Sequence, residues 1–246
     1  GEGVDVHDVR FEAAARTALA FVSLTAEGER DFVFYRHPSA DQLHRPEEVD
    51  LDAVRSAKVL HHGSISLIQE PSRSATLAAI HAAREAGVMV SYDPNLRLPL
   101  WPSAEAARDG IRSAWTFANM IKVSEEELQF LTGSGDVEAA RDLWHDDLAV
   151  LLVTLGSEGV AWFTAGGSGR VASVPVTPVD TTGAGDAFVA GSLAAWCAHP
   201  GLVGDEARLE AALREANAYA ALTTTRPGAI PALPTREELS AFLAAS

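Results

Sequence analysis

Short apolar runs at Lys58–His62, Val88–Tyr92, Met120–Val123 and Ala149–Thr154 alternate with stretches of helical periodicity at Pro71–Ala86, Ala104–Ala118 and Glu138–His145. Runs this short, and in Val88–Tyr92 and Ala149–Thr154 apolar at nearly every position rather than every second one, suit strands buried on both faces. Parallel neighbours need a crossover connection, and the intervening helical segments supply it. Residues 57–246 are therefore expected to form an α/β core, a mostly parallel central sheet with helices on both faces. In such open sheets ligands bind beyond the carboxyl ends of the strands, so functional motifs belong where a strand gives way to a loop.

The chain does not begin with this alternation. Arg16–Thr25 and Asp31–His37, rich in β-branched and aromatic residues, flank Ala26-Glu27-Gly28-Glu29-Arg30 and predict a β-hairpin over residues 16–37. A later β-rich patch, Gly159–Phe163 with Val171–Val174, brackets the loop-like Thr164–Arg170. Helices are expected at Ala184–Ala198, Asp205–Thr224 and Thr235–Ala244. No internal repeat is visible. With 34 acidic against 19 basic residues, the formal charge of −15 disfavours nucleic acid or an anionic membrane surface as a partner. No apolar run approaches the length of a membrane span, and the opening residues lack the pattern of a secretory signal. A cytoplasmic protein acting on small molecules is the expectation. The single Cys197 cannot pair internally and reads as a half-buried helical thiol.

The most informative stretch is Val179-Asp180-Thr181-Thr182-Gly183-Ala184-Gly185-Asp186-Ala187-Phe188, between an extended segment and an apolar helix. Gly183 and Gly185 permit close backbone approach, and unsatisfied N–H groups at a helix start attract an anion such as a phosphoryl group. Asp186 would stand beside that anion, where a carboxylate can take the proton of an attacking hydroxyl. A Gly-rich turn with Asp186 as a mere helix-start charge fits the same spacing.

The ordered segment Asp180-Thr181-Thr182-Gly183-Ala184-Gly185-Asp186 resembles the C-terminal signature of the PfkB, or ribokinase-like, carbohydrate kinases. The resemblance implies that Asp186 is the catalytic base and that Gly183, Ala184 and Gly185 form the anion hole. Thr154-Leu155-Gly156-Ser157-Glu158-Gly159 resembles the family's nucleotide loop, which implies ATP contacts at Thr154, Gly156, Ser157 and Gly159. Ile121–Leu128 resembles the junction whose Asn-x-x-Glu organises the magnesium-linked phosphates: Glu127 matches the Glu, while Ser124 replaces the Asn. Ser124 and Glu127 also have the spacing of a helix N-cap with a capping box, and both roles can hold together. Asn217 is implied on the adenine side. The Arg226-Pro227-Gly228-Ala229 turn, with Asp180 and Thr182, resembles a monovalent-cation loop, so potassium joins ATP and Mg²⁺ as an expected ligand.

Ser91-Tyr92-Asp93-Pro94-Asn95-Leu96-Arg97-Leu98-Pro99-Leu100-Trp101 resembles a segment of fructokinases and a related one of 2-keto-3-deoxygluconate kinases. It implies substrate contacts at Asp93, Asn95 and Arg97. The hairpin resembles the family's β-lid, which adds Tyr35 and Arg36 as sugar contacts and a homodimer formed through the lid. Strand alternation puts Phe34 and Arg36 on one face and Tyr35 on the other. His61 and His62 read as strand-end or core residues. The family's opening elements, a sugar-binding Asp strand, Gly-Gly-x-x-x-Asn and Gly-Asp-Asp-x-x-Gly, are not found upstream of residue 16. The chain is thus expected to be an incomplete ribokinase-like domain. The expected activity is transfer of a phosphoryl group from ATP to the primary hydroxyl of fructose. 2-Keto-3-deoxygluconate is the alternative acceptor, and a non-catalytic nucleotide-binding fragment is the alternative outside enzymes.

Overall fold

The computed structural model describes residues 3–24 and 30–245. The chain divides into two compact units, Gly1–Val90 with Pro94–Phe117, and Ser91–Asp93 with Ala118–Ser246.

In the first unit, strands β1 (Leu19–Leu24) and β2 (Arg30–Tyr35) pair antiparallel, with Leu19 opposite Tyr35 and Phe21 opposite Val33. The expected connecting turn at residues 26–29 lies outside the described residues. The alternation holds at the end of β2, where Arg36 is 7% exposed and Tyr35 is 65% exposed. A short helix α1 (Leu51–Ser56), capped by the Asp50 carboxylate, precedes β3 (Val59–His62). Helix α2 (Ser72–Glu85) and helix α3 (Ala104–Trp115) supply the apolar interior through Ile80, Ala83, Ile111 and Ala114. Strand β4 (Met89–Tyr92) starts here and ends in the second unit.

In the second unit, the end of β4 runs parallel to β5 (Met120–Ser124), and β5 runs parallel to β6 (Val150–Thr154). Strands β7 (Val160–Phe163) and β8 (Ser168–Val171) then continue the sheet antiparallel. Within this unit the strand order is β4-β5-β6-β7-β8. Ile121, Val123, Leu151 and Val153 are fully buried, as the continuous apolar runs require. Helices α4 (Glu125–Thr132), α5 (Ala184–Ala198), α6 (Glu206–Thr223) and α7 (Arg236–Ala245) complete the unit. Gly191 lets α5 lie close on α6, since a methyl built there would stand 3.0 Å from Ala216 Cα. Cys197 is half-buried in α5, as expected. No helix among the described residues is long and apolar enough to cross a membrane.

The elements differ from expectation in places that have local causes. Val137–Leu143 is a 3-10 helix rather than an amphipathic α-helix, capped by Asp136; so short a segment gains little from the cooperativity that favours α-helix. The strand expected at Val171–Val174 lies earlier, at Ser168–Val171, because the Asn217 side chain donates to the Val171 and Ala172 carbonyls and draws the chain out of the sheet there. The expected loop shrinks to a turn in which Thr164 Oγ1 accepts from the Gly166 and Gly167 N–H groups.

Candidate active site

The signature segment is held from both sides by main-chain and carboxylate hydrogen bonds. The Val179 and Asp180 N–H groups donate to the Thr224 carbonyl at 2.8 and 3.0 Å. The Asp180 carboxylate accepts from the Thr182 N–H at 2.9 Å and from the Gly228 N–H at 2.8 Å. One side chain thereby joins the signature to the Arg226–Gly228 turn. The Arg226 guanidinium is engaged by Glu238, whose carboxyl is drawn down to about 2 chiefly by that hydrogen bond.

Gly183 stands at the N-cap of α5 with φ of 82°, a left-handed conformation in which a methyl would press on Ala229 at 3.4 Å. The Ala184 N–H turns back to the Thr181 carbonyl at 3.2 Å, so of the expected anion-hole donors it is the one already engaged. The first helical hydrogen bond runs from Ala187 N–H to the Gly183 carbonyl at 2.8 Å. Gly185 and Asp186 head the helix, where N–H groups have no carbonyl of their own helix to bind and the dipole favours an anion. Asp186 lies in this first turn with an exposed side chain. An anion at the turn would therefore meet backbone donors and an accessible carboxylate together.

Beside the turn lies a cavity of about 460 Å³, lined by Thr154, Gly156, Ser157 and Gly159 from the loop after β6, by Ala184 and Gly185, and by Asn217. The volume suits a nucleotide-sized ligand. Gly159 has φ of 103°, and a methyl there would stand 2.1 Å from the Val171 carbonyl oxygen, so the loop can lie this close to β8 only with glycine. Val174, Val176, Ala220 and Ala221 give the cavity an apolar wall suited to a flat ring. Asn217 lines it, and its amide nitrogen is spent on the Val171 and Ala172 carbonyls, so it shapes the wall and leaves its oxygen as the atom that can accept from a ligand.

Ser124 and Glu127 form the full capping box of α4. The Ser124 N–H donates to Glu127 Oε2 at 2.8 Å, and the Glu127 N–H donates to Ser124 Oγ at 3.2 Å. Glu127 is buried, with its Oε2 already accepting from the Ser124 N–H. Asp93 is buried as well and pairs with Lys122 Nζ, which stands 3.2 Å from Oδ2. Sequence reasoning passed over Lys122; a lysine within an otherwise apolar strand was the available signal. It also passed over Thr181, which lines the cavity, and Thr224, whose carbonyl anchors the signature.

The remaining substrate candidates belong to the first unit. The Arg36 guanidinium is clamped by Asp41, with Nη2 to Oδ2 at 2.6 Å, and by the Ile65 carbonyl at 3.2 Å. Tyr35 is exposed and meets Phe21 edge-on at 5.5 Å. Asn95 is exposed with φ of 44°, and the Arg97 guanidinium donates to the Leu96 carbonyl at 3.1 Å. His62 is buried, and burial lowers its pKa to about 4.

The profile described as pfkB family carbohydrate kinase matches residues 1–236. A probable fructokinase-4 of Arabidopsis thaliana is 56% identical over 98% of this chain and 74% of its own length. Among solved structures, a fructokinase of Xylella fastidiosa with bound ATP aligns with a TM-score of 0.85 at 33% identity, over 95% of this chain and 75% of its own. A fructokinase of Vibrio cholerae with fructose, ADP and calcium bound aligns with a TM-score of 0.85 at 37% identity, over 98% of this chain and 77% of its own.

Proposed function

The chain belongs to the pfkB family of carbohydrate kinases, and from that premise we propose that it transfers the γ-phosphoryl group of ATP to the primary hydroxyl of fructose, giving fructose 6-phosphate and ADP. The observation that carries this reading is the joining of an accessible Asp186 to a glycine turn that itself lines a nucleotide-sized cavity.

ATP lies in that cavity with its base against the apolar wall and its phosphates toward the Gly183–Asp186 turn. Asp186 takes the proton as the sugar oxygen attacks the γ-phosphorus in line and the bond to the ADP oxygen breaks. The Gly183 and Gly185 amides and the start of α5 stabilise the negative charge on the phosphoryl oxygens. Glu127 would hold Mg²⁺ through water, and the bound ion would supply further charge neutralisation on the phosphates. Asp180 keeps the Arg226–Gly228 turn in place, so backbone carbonyls there and near Thr182 can surround a potassium ion. Asp93, Asn95, Arg97 and Tyr35 are the proposed sugar contacts. Arg36 acts through the segment it holds to Asp41 and Ile65. The exposed apolar side chains of Leu19, Phe21, Val33 and Tyr35 support pairing of two copies through the hairpin. A cytoplasmic setting is part of the same proposal.

The test is a substrate panel with ATP. Fructose should give a higher kcat/KM than ribose, adenosine or 2-keto-3-deoxygluconate. Preference for 2-keto-3-deoxygluconate would move the chain to the neighbouring activity, and nucleotide binding without turnover on any acceptor would favour the non-catalytic reading.

A further inference from the structure

We propose that Lys122 is a phosphoryl-directed cation, its ammonium held by Asp93 beneath the Gly183–Asp186 turn and donating to a γ-phosphoryl oxygen when ATP is bound. The inference rests on the reading of that turn as the phosphoryl site. Lys122 lies in β5 between Ile121 and Val123, both fully buried, and is itself only 7% exposed. An ammonium in such surroundings is costly unless it is paired. Its place follows from the strand register: Tyr92 is opposite Ile121 in the parallel pair, so Asp93 and Lys122 come next, side by side at the carboxyl end of the sheet where ligands bind.

The pairing with Asp93 is loose. Nζ stands 3.2 and 3.5 Å from the two carboxylate oxygens, beyond the ~2.7–2.9 Å usual for a charge-assisted hydrogen bond. An ammonium carries three donors, and Asp93 is the polar partner of Lys122 among the described residues. The other neighbour is Gly185: a methyl built on that glycine would lie 3.5 Å from Lys122 Nζ. The cation therefore lies beside Gly185, at the start of α5.

The local charge points the same way. The Tyr92 phenol is pushed well above its ordinary value, first by burial and then by the Glu127 and Asp93 carboxylates, so each acid lies within electrostatic reach of that ring. A buried carboxylate beside a polyphosphate would repel it. Lys122 offsets Asp93 and turns a repulsive floor into one that accepts an added phosphate. The sugar proton goes to Asp186, and the bond that breaks is the one to the ADP oxygen.

The experiment is calorimetric titration of the full chain with Mg·ATP and with Mg·ADP, for wild type, Lys122→Met and Lys122→Met/Asp93→Asn. The double variant removes both buried charges, so it answers the question if the single variant does not fold. The expected result is ATP binding weakened roughly ten- to hundred-fold with ADP affinity unchanged, the loss of one charge-assisted hydrogen bond to the γ-phosphate. A purely structural ion pair would leave the ATP-to-ADP affinity ratio at its wild-type value, and that result in the double variant overturns the proposal. Wild-type chain that binds neither nucleotide would instead overturn the nucleotide site itself, and this inference with it.

Discussion

The glycine turn at residues 180–186, the proposed phosphate site, and the loop at residues 93–97 both combine acids with turn residues, yet they hold their chemistry differently. In the first, the determinants are backbone: Gly183 at φ of 82°, the amides heading α5, and the Asp180 carboxylate fixing two N–H groups. In the second, they are side chains, and each is engaged on its own terms: Asp93 on Lys122, Arg97 on the Leu96 carbonyl, Asn95 out toward solvent. A phosphate is recognised by donors that every residue carries, so its site is written in local conformation. A sugar is recognised by side chains collected from separate segments. The phosphate region should therefore be the more brittle toward small changes.

The sharpest way to break this contrast is Asp186→Asn, which keeps the turn and removes the base. Turnover should fall roughly 10²–10⁴-fold with nucleotide affinity retained. Near-normal turnover in that variant would take the chemistry out of the turn. Next in size is Gly159→Ala, because the new methyl would meet the Val171 carbonyl oxygen at 2.1 Å in a backbone conformation that L-residues avoid. The expected loss is about 4 kcal/mol, combining backbone strain with overpacking. Chemical denaturation that places the variant within experimental error of wild type would show that the loop can move off β8.

The smallest effect is a pH response in the first unit. His62 has its pKa lowered from 6.5 to about 4 by burial, with the Gly63 carbonyl partly opposing. Above pH 6.5 the imidazole is neutral in folded and unfolded chains alike. As pH falls toward 4 the unfolded chain takes up a proton that the folded chain refuses, so stability drops over this window by up to about 3 kcal/mol. Hydrogen exchange should show β3 losing protection between pH 7 and pH 4.5, and His62→Asn should flatten that response. Equal pH dependence in wild type and variant would assign the response to other groups.

How much of this was legible beforehand follows the same division. The β/α alternation from β3 to β6, the paired strands of the hairpin and the helix start after Gly183 are local patterns, and they lie within a few residues of where the spacing placed them. The capping box of Ser124 and Glu127 was readable because both halves lie within one helical turn. The Asp93–Lys122 pair was not, since its members belong to different strands and meet only through sheet register. The same reason hid the end of β8, which depends on an amide from α6, and the clamp of Asp41 on Arg36, which gives that arginine a packing role. Helix α1 is too short to show a periodicity, and the 3-10 segment Val137–Leu143 has the composition of an α-helix without the length.

On the proposed function, the γ-phosphoryl group passes to the primary hydroxyl of a ketose at the Gly183–Asp186 turn. Phosphorus NMR of the chain mixed with ATP, magnesium and fructose tests it most directly. ADP and a sugar phosphate should appear in equal amounts, with the new phosphorus coupled to the C6 methylene protons and no ADP formed when fructose is omitted. Phosphate released to water at the same rate with or without fructose, or ATP left intact while it binds, would contradict it.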